Sequence, residues 1–125
     1  MAFKTLTADV LEQLREALPG MVYYGDDISE EYSHDEMLSA GVRLPDAVIK
    51  VKTTEDVSAA CKILYDNDIP IIPRGAGTGL AGGCTPLYGG VVIDISKMNK
   101  ILSWDPDNSI VRIEAGVYLH DLAAA

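Results

Sequence analysis

The sequence predicts an α+β domain in which a small β-α-β unit is followed by antiparallel strands. Three observations carry that expectation. Two apolar runs, Ala47–Val51 and Ile69–Ile72, flank a segment of helical periodicity. Asp105-Pro-Asp-Asn108 reads as a turn between two further apolar runs, Ile101–Trp104 and Ser109–Glu114. Between Gly83 and Val91 stand only Cys84-Thr-Pro-Leu-Tyr-Gly-Gly90, too few residues, with a Pro and two Gly among them, for another crossover helix.

Taken in order, Thr7 is the N-cap of a first helix that runs to Leu18, with Val10, Leu11, Leu14, Ala17 and Leu18 at helical spacing and Pro19-Gly20 as its stop. Asp26 to Gly41 is acidic and irregular, a loop or a set of short helical turns lying over the domain, with Tyr23, Tyr24 and Tyr32 nearby. The chain divides there: residues 1–44 hold the helix and this connecting segment, and residues 45–125 the rest. Ala47–Val51 is a strand. Thr53-Thr54 then caps a helix whose Val57, Ala60, Cys61 and Leu64 share a face, and Asp66-Asn67-Asp68 ends it. Ile69–Ile72 returns as a strand, and a parallel pairing through a right-handed crossover is expected. Val91–Ile95 begins a half that is antiparallel in flavour. Val117 to Ala125 reads as the start of a helix with Tyr118, Leu119 and Leu122 on one side, and its uncapped Ala-Ala-Ala end is that of a truncated unit.

The most informative stretch is Arg74-Gly-Ala-Gly-Thr-Gly-Leu-Ala-Gly-Gly83, which follows Pro73 at the end of the second strand. A reversal of direction needs one or two glycines. Five in ten residues make the unfolded chain unusually entropic, which a close approach of backbone to a ligand explains. Converging N–H groups suit a phosphate, and Arg74 and Thr78 add a charge and a hydroxyl. Gly77-Thr-Gly79-Leu-Ala-Gly82 matches the G-x-G-x-x-G fingerprint of dinucleotide folds, with Asp94 near the end of the next strand. That fingerprint requires a helix after the loop, and none fits; nor does Gly-Lys-Ser or Gly-Lys-Thr follow the glycines as in a P-loop. What remains is a phosphate loop working without a helix dipole.

Composition sets limits. The 125 residues suffice for one core, 48% are hydrophobic and 23% charged, and no apolar stretch approaches the length of a membrane span. The N-terminus lacks the architecture of a secretory signal, so a cytoplasmic location is expected. A net charge of −9 argues against nucleic acid as a partner. Cys61 and Cys84 stand in no metal-ligand spacing, and Cys61, on an apolar helix face, reads as a reduced core thiol. No metal site and no catalytic residue is assigned. His34 and His120 have no acid, nucleophile or second His at motif spacing, and read as exposed or structurally bonded.

Leu44-Pro-Asp-Ala-Val48, the β-α-β unit, Pro73 to Gly83, Val92-Ile-Asp-Ile95 and Glu114-Ala-Gly-Val117 together resemble the N-terminal part of FAD-linked oxidases of the p-cresol methylhydroxylase and vanillyl-alcohol oxidase superfamily, closest to its branch of D-lactate dehydrogenases and glycolate oxidases. The resemblance implies that residues 45–125 are the first lobe of a PCMH-type FAD-binding domain, incomplete at the C-terminus. It implies that Arg74, Gly75, Ala76, Gly77 and Thr78 wrap the FAD pyrophosphate through backbone N–H groups, that Leu80, Gly82 and Gly83 run beside the flavin and ribityl chain, and that Pro73 and Gly79 are cofactor-binding residues with them. Some relatives bond flavin to a His in this loop; Thr78 stands there, so non-covalent FAD is expected. Relatives pass a hydride from a small 2-hydroxy acid to flavin N5 and electrons to an electron-transferring flavoprotein, an iron–sulfur subunit or quinone. The resemblance thus implies a fragment of such a dehydrogenase, inactive alone. The alternative is a self-standing phosphate- or nucleotide-binding or interaction module without catalysis, and a purely structural role in oligomerisation is a third.

Other residues have plainer readings. Asp94 and Glu114 are turn or cap partners before they are ribose ligands. Trp104 is a packing residue before it is a flavin-stacking one. Asp26, Asp27, Glu30, Glu31, Asp35 and Glu36 form a solvated face before they form a docking surface for a redox partner.

Overall fold

Two threonines start the two long helices. Thr7 Oγ1 accepts from the Val10 N–H at the head of α1 (Ala8–Ala17). Thr53 Oγ1 accepts from the Asp56 N–H while Asp56 accepts from the Thr53 N–H, a capping box that opens α2 (Thr54–Asp66). Caps of this kind stabilise a helix by about 1 kcal/mol. The computed structural model describes residues 2–125. In it, α1 buries Val10, Leu14 and the following Leu18, and α2 buries Ala60 and Leu64 with Val57 and Cys61 half-covered beside them.

Both helices pack on one face of a four-stranded sheet made of β1 (Val22–Tyr24), β2 (Ala47–Lys50), β3 (Ile71–Arg74) and β4 (Val91–Asp94), in spatial order β1-β2-β4-β3. β2, β3 and β4 run parallel, and β1 is antiparallel to β2. Ala47, Ile49, Val91 and Ile93 face the helices, whereas Val48, Ile72 and Val92 face the other way and pack with Tyr32. Strands covered on both faces appear in the sequence as unbroken apolar runs, which is why β2 and β4 are visible there.

The topology departs from expectation in three places. β1 is not predicted from the sequence, because three residues carry no periodicity and their pairing with β2 is long-range. β2 and β3 are parallel but not neighbours: β4 inserts between them, so Val91–Asp94 belongs to the parallel sheet and not to an antiparallel half. Residues 75–90 therefore make a parallel crossover without any helix. Finally β3 begins at Ile71, two residues late. Asp68 takes a left-handed φ of 56° and the Ile69 N–H still bonds the Leu64 carbonyl at 3.0 Å, so the end of the helix outlasts its sequence stop. β3 then runs on through Arg74. It is an outer strand, and Pro73 leaves no N–H on its open edge, which blunts pairing with another chain.

β5 (Ile101–Asp105) and β6 (Ile110–Ile113) form the expected antiparallel hairpin around a 3-10 turn at Pro106–Asn108, where Asp105 Oδ1 accepts from the Asn108 N–H at 3.2 Å. Its strands pair only with each other. Trp104 is consequently 56% exposed, so the expectation that it packs is corrected. α3 (Leu119–Ala124) closes the described chain. The acidic stretch contains 3-10 turns at Gly25–Asp27, Glu30–Ser33 and Leu38–Ala40, and the second of these places Tyr32 on the sheet face opposite the helices. Among the described residues no helix is long and apolar enough to cross a membrane.

Candidate functional site

One register position carries the charge of the sheet. Two residues beyond the apolar row Val48, Val92 and Ile72 come Lys50, Asp94 and Arg74, matched across β2, β4 and β3 at their carboxyl ends. In-register residues of parallel strands present their side chains to the same face, so a cation, a carboxylate and a second cation stand in line. In parallel sheets covered by helices, the carboxyl end is where ligands bind. Tyr32 covers this row. Its hydroxyl donates to Asp94 Oδ2 at 2.5 Å, its ring lies 5.1 Å from Arg74 Cζ, and Lys50 Nζ stands 5.9 Å from the same ring. Burial, and then the bond to the Asp94 carboxylate, push the Tyr32 phenol well above its ordinary range, so it stays a donor.

Arg74 is the last residue of β3 rather than the first of the loop, and only 7% of it is exposed. Its Nη1 donates to the His34 carbonyl at 2.9 Å, and no carboxylate pairs with it among the described residues. Gly77 lies directly on the guanidinium. With φ +74°, any other residue at Gly77 is strained, and its Cβ would have to push the Arg74 guanidinium aside. The sequence alone offers Arg74 to a phosphate as a free charge; the structure makes it the floor of the loop.

Above that floor the backbone has donors to spare. From Gly75 to Gly83 no N–H donates to a protein acceptor among the described residues. Unpaired N–H groups are tolerated only where water or a ligand reaches them. The run is pinned instead through other atoms: the Gly79 carbonyl accepts from the Glu36 N–H at 3.0 Å, and Asp35 Oδ2 lies 3.5 Å from the Cys84 nitrogen. Asp35 is only 2% exposed, and Oδ1 accepts from the Met37 N–H at 2.9 Å. The acidic stretch is thus not simply a solvated face. Asp35 and the backbone around it brace the loop.

Two hollows meet at Gly75 and Ala76. One, of about 260 Å³, is bordered by Lys50, Arg74, Asp94, Lys97 and Tyr118; the other, of about 300 Å³, by Thr78, Ala115, Gly116 and Tyr118. The segment after β6 reaches them because Gly116 lies flat against the turn after β4: its N–H donates to the Met98 carbonyl at 2.8 Å, and a Cβ would overlap the Ile95 carbonyl oxygen. Larger hollows beside Phe3 and Tyr65, about 490 Å³, and beside Arg15 and Tyr24, about 430 Å³, have no comparable run of free donors around them. Size therefore points to one set of hollows and donor chemistry to another.

The remaining sequence candidates fall as follows. Pro73, Ala76, Thr78, Gly79, Leu80 and Gly83 are exposed along the loop, and Gly75 and Gly82 half-buried. Asp94 Oδ1 accepts from the Ser96 N–H at 2.9 Å as a turn partner, whereas Glu114 accepts from the Lys100 N–H at 2.9 Å across the base of the hairpin rather than within a turn. His34 Nδ1 is 2.8 Å from Ser33 Oγ, and His120 is beside Asp121 on the surface. Burial raises the Cys84 thiol above its ordinary range, against the lowering effect of Arg74, so it is no thiolate. Tyr32, Asp35, Lys50 and Tyr118 do not stand out in the sequence as site residues. For Lys50 a signal exists: aligning the three strands by the first charged residue after each apolar run places it beside Asp94 and Arg74.

Known proteins are similar to this chain in sequence and in fold. The profile of the FAD binding domain family matches residues 45–125. D-lactate dehydrogenase of Anaerostipes hadrus is 42% identical over 121 residues, 97% of this chain and 26% of that protein. Glycolate oxidase subunit GlcD of Bacillus subtilis (strain 168) is 33% identical over 129 residues, 96% of this chain and 26% of that one. Among solved structures, p-cresol methylhydroxylase with substrate bound superposes with a TM-score of 0.78 at 25% identity over 93% of this chain and 23% of that one. Alkyldihydroxyacetonephosphate synthase does so with a TM-score of 0.80 at 20% identity, over 97% and 27%. The chain spans about a quarter of the length of these relatives.

Proposed function

The chain belongs to the FAD binding domain family of FAD-linked oxidases related to p-cresol methylhydroxylase, and on that premise we propose that residues 73–83 hold the diphosphate of FAD. The observation that carries this reading is Arg74, a buried cation without an ion-pair partner, under a run of backbone N–H groups without protein acceptors. A buried unpaired charge is unfavourable on its own, and an anion seated on the amides relieves it. The residues present fit such a group: Gly75 to Gly79 offer N–H donors, Thr78 an exposed hydroxyl, and Arg74 the charge below. Leu80, Gly82 and Gly83 continue the loop toward the flavin and ribityl portion.

No His stands in the loop, so the FAD is held without a covalent bond. Bound FAD supplies the two-electron chemistry, and this chain's residues seat it. The relatives named for D-lactate and glycolate support the oxidation of a small 2-hydroxy acid as the activity of an intact protein of which this chain forms the FAD-binding part. The glycolate oxidase relative is by its name one subunit of an oxidase, which supports an electron-accepting partner such as an electron-transferring flavoprotein or an iron–sulfur subunit.

The test is a titration of the intact apoprotein with FAD, followed by acid or heat denaturation. Saturable quenching of flavin fluorescence and release of all flavin to the supernatant are expected. Absence of saturable binding sinks the diphosphate reading, and flavin that stays with the precipitated chain sinks the non-covalent one.

A further inference from the structure

We propose that Tyr32 is a positioning residue that keeps Arg74 unpaired and directed at the loop, an inference that rests on reading residues 73–83 as a diphosphate site. Asp94 and Arg74 occupy matched positions on adjacent parallel strands, with their side chains on one face. A carboxylate and a guanidinium so placed are natural partners for a bidentate pair. They do not pair here.

Tyr32 stands between them. Its hydroxyl takes Asp94 Oδ2 at 2.5 Å, and the Ser96 N–H takes Oδ1 at 2.9 Å, so both carboxylate oxygens are engaged by neutral donors. The tyrosine ring meanwhile covers one side of the guanidinium at 5.1 Å, an attraction between cation and aromatic face that leaves the charge intact. Arg74 is thus turned toward the His34 carbonyl and the underside of Gly77. Tyr32 is itself 5% exposed and packed in the apolar cluster with Val48, Ile72 and Val92. One residue, in an irregular segment remote in sequence from the loop, separates two opposite charges that would otherwise cancel.

The experiment compares ADP with adenosine as ligands of the intact apoprotein, since the two share base and ribose and differ by the diphosphate. The quantity read is the ratio of their Kd values. Tyr32→Leu removes ring and hydroxyl and lets Asp94 capture Arg74. Loss of one charge-assisted contact then lowers the preference for ADP by about tenfold or more, with the Kd of adenosine unchanged. Tyr32→Phe keeps the ring packing and frees only Asp94, with a drop of about threefold. Adding Asp94→Asn to Tyr32→Leu removes the competing carboxylate and restores most of the ratio, which a merely structural role for Tyr32 would not produce. Equal weakening of ADP and adenosine overturns the proposal, as does failure of the double variant to recover. If Tyr32→Leu does not fold, an unchanged ratio in Tyr32→Phe overturns it. A wild-type protein with no preference for ADP over adenosine defeats the diphosphate reading itself, before any variant is made.

Discussion

The segment joining β3 to β4 has two halves, both rich in glycine, and they use it for opposite ends. Residues 75–83 leave the carboxyl end of the sheet and donate no N–H to the protein. Residues 84–90 return to its amino end with most of their amides engaged: Thr85 to the Gly82 carbonyl at 3.1 Å, Leu87 to Thr85 at 2.9 Å, Gly89 to Pro86 at 2.9 Å, and Gly90 to Asp46 Oδ2 at 3.1 Å. In the first half the missing Cβ leaves room for something else. In the second it leaves room for the protein's own backbone. Counting glycines does not tell the halves apart; asking where each N–H goes does.

The sharpest break in the comparison is at Gly90. A Cβ there would overlap the Pro70 carbonyl oxygen and lie 2.7 Å from Pro70 Cβ, and φ is +91°. Left-handed strain of roughly 1–2 kcal/mol adds to overpacking of roughly 1–3 kcal/mol, and neither can relax without moving β3. Gly90→Ala is expected to lower unfolding stability by roughly 2–5 kcal/mol in urea denaturation, whether or not FAD is present. A loss below about 0.5 kcal/mol would mean that the return half is looser than its hydrogen bonds indicate.

A middle-sized effect belongs to Asp46, which ties this half to the start of β2. Its N–H donates to the Gly90 carbonyl at 2.7 Å, and Oδ2 accepts from Gly90 and, at 3.3 Å, from Leu6. Asp46→Ala leaves those two N–H groups without their acceptor, at a cost of about 1–2 kcal/mol in stability. The affinity of the folded protein for FAD should not change, because the carboxylate lies at the opposite end of the sheet from Gly75. A selective loss of FAD binding would merge the halves into one functional unit.

Much of this contrast is legible in the residues, and what is not has a common cause. Helix starts are local: Thr7 and Thr53 declare them within four residues, and the hairpin turn Asp105 to Asn108 is equally self-contained. The parallel sheet is legible as strands but not as an order, because β4 enters between β2 and β3 through pairings no local pattern encodes. The glycine loop stands out in the sequence as a candidate phosphate site. Its floor does not. Arg74 is buried by Tyr32 and bonded to the His34 carbonyl, forty positions away in sequence, and Asp35 braces the loop from the same acidic stretch. Read in one dimension, six acids between Asp26 and Glu36 look like a solvated face; only folding shows that one of them is inside.

The smallest expected change in stability sharpens the comparison most. Gly75 has no protein atom within 4 Å of a Cβ and no positive φ, so Gly75→Ala meets nothing when the protein folds. Alanine also restricts the unfolded chain, and where the native conformation suits it this stabilises by about 0.4–1 kcal/mol. Were Gly75 present only for the chain's own sake, the variant would be neutral or slightly better in every respect. Yet Gly75 borders both hollows, and on the proposed reading a methyl group there competes for space with the diphosphate. The apoprotein should therefore keep or raise its melting temperature while its Kd for FAD increases by about tenfold, the equivalent of about 1.4 kcal/mol. Gly90→Ala should give the reverse pattern, a stability loss with affinity retained in whatever fraction folds. An affinity that survives Gly75→Ala unchanged would place the nucleotide away from this half of the loop, and the free amides would then be exposed to water alone.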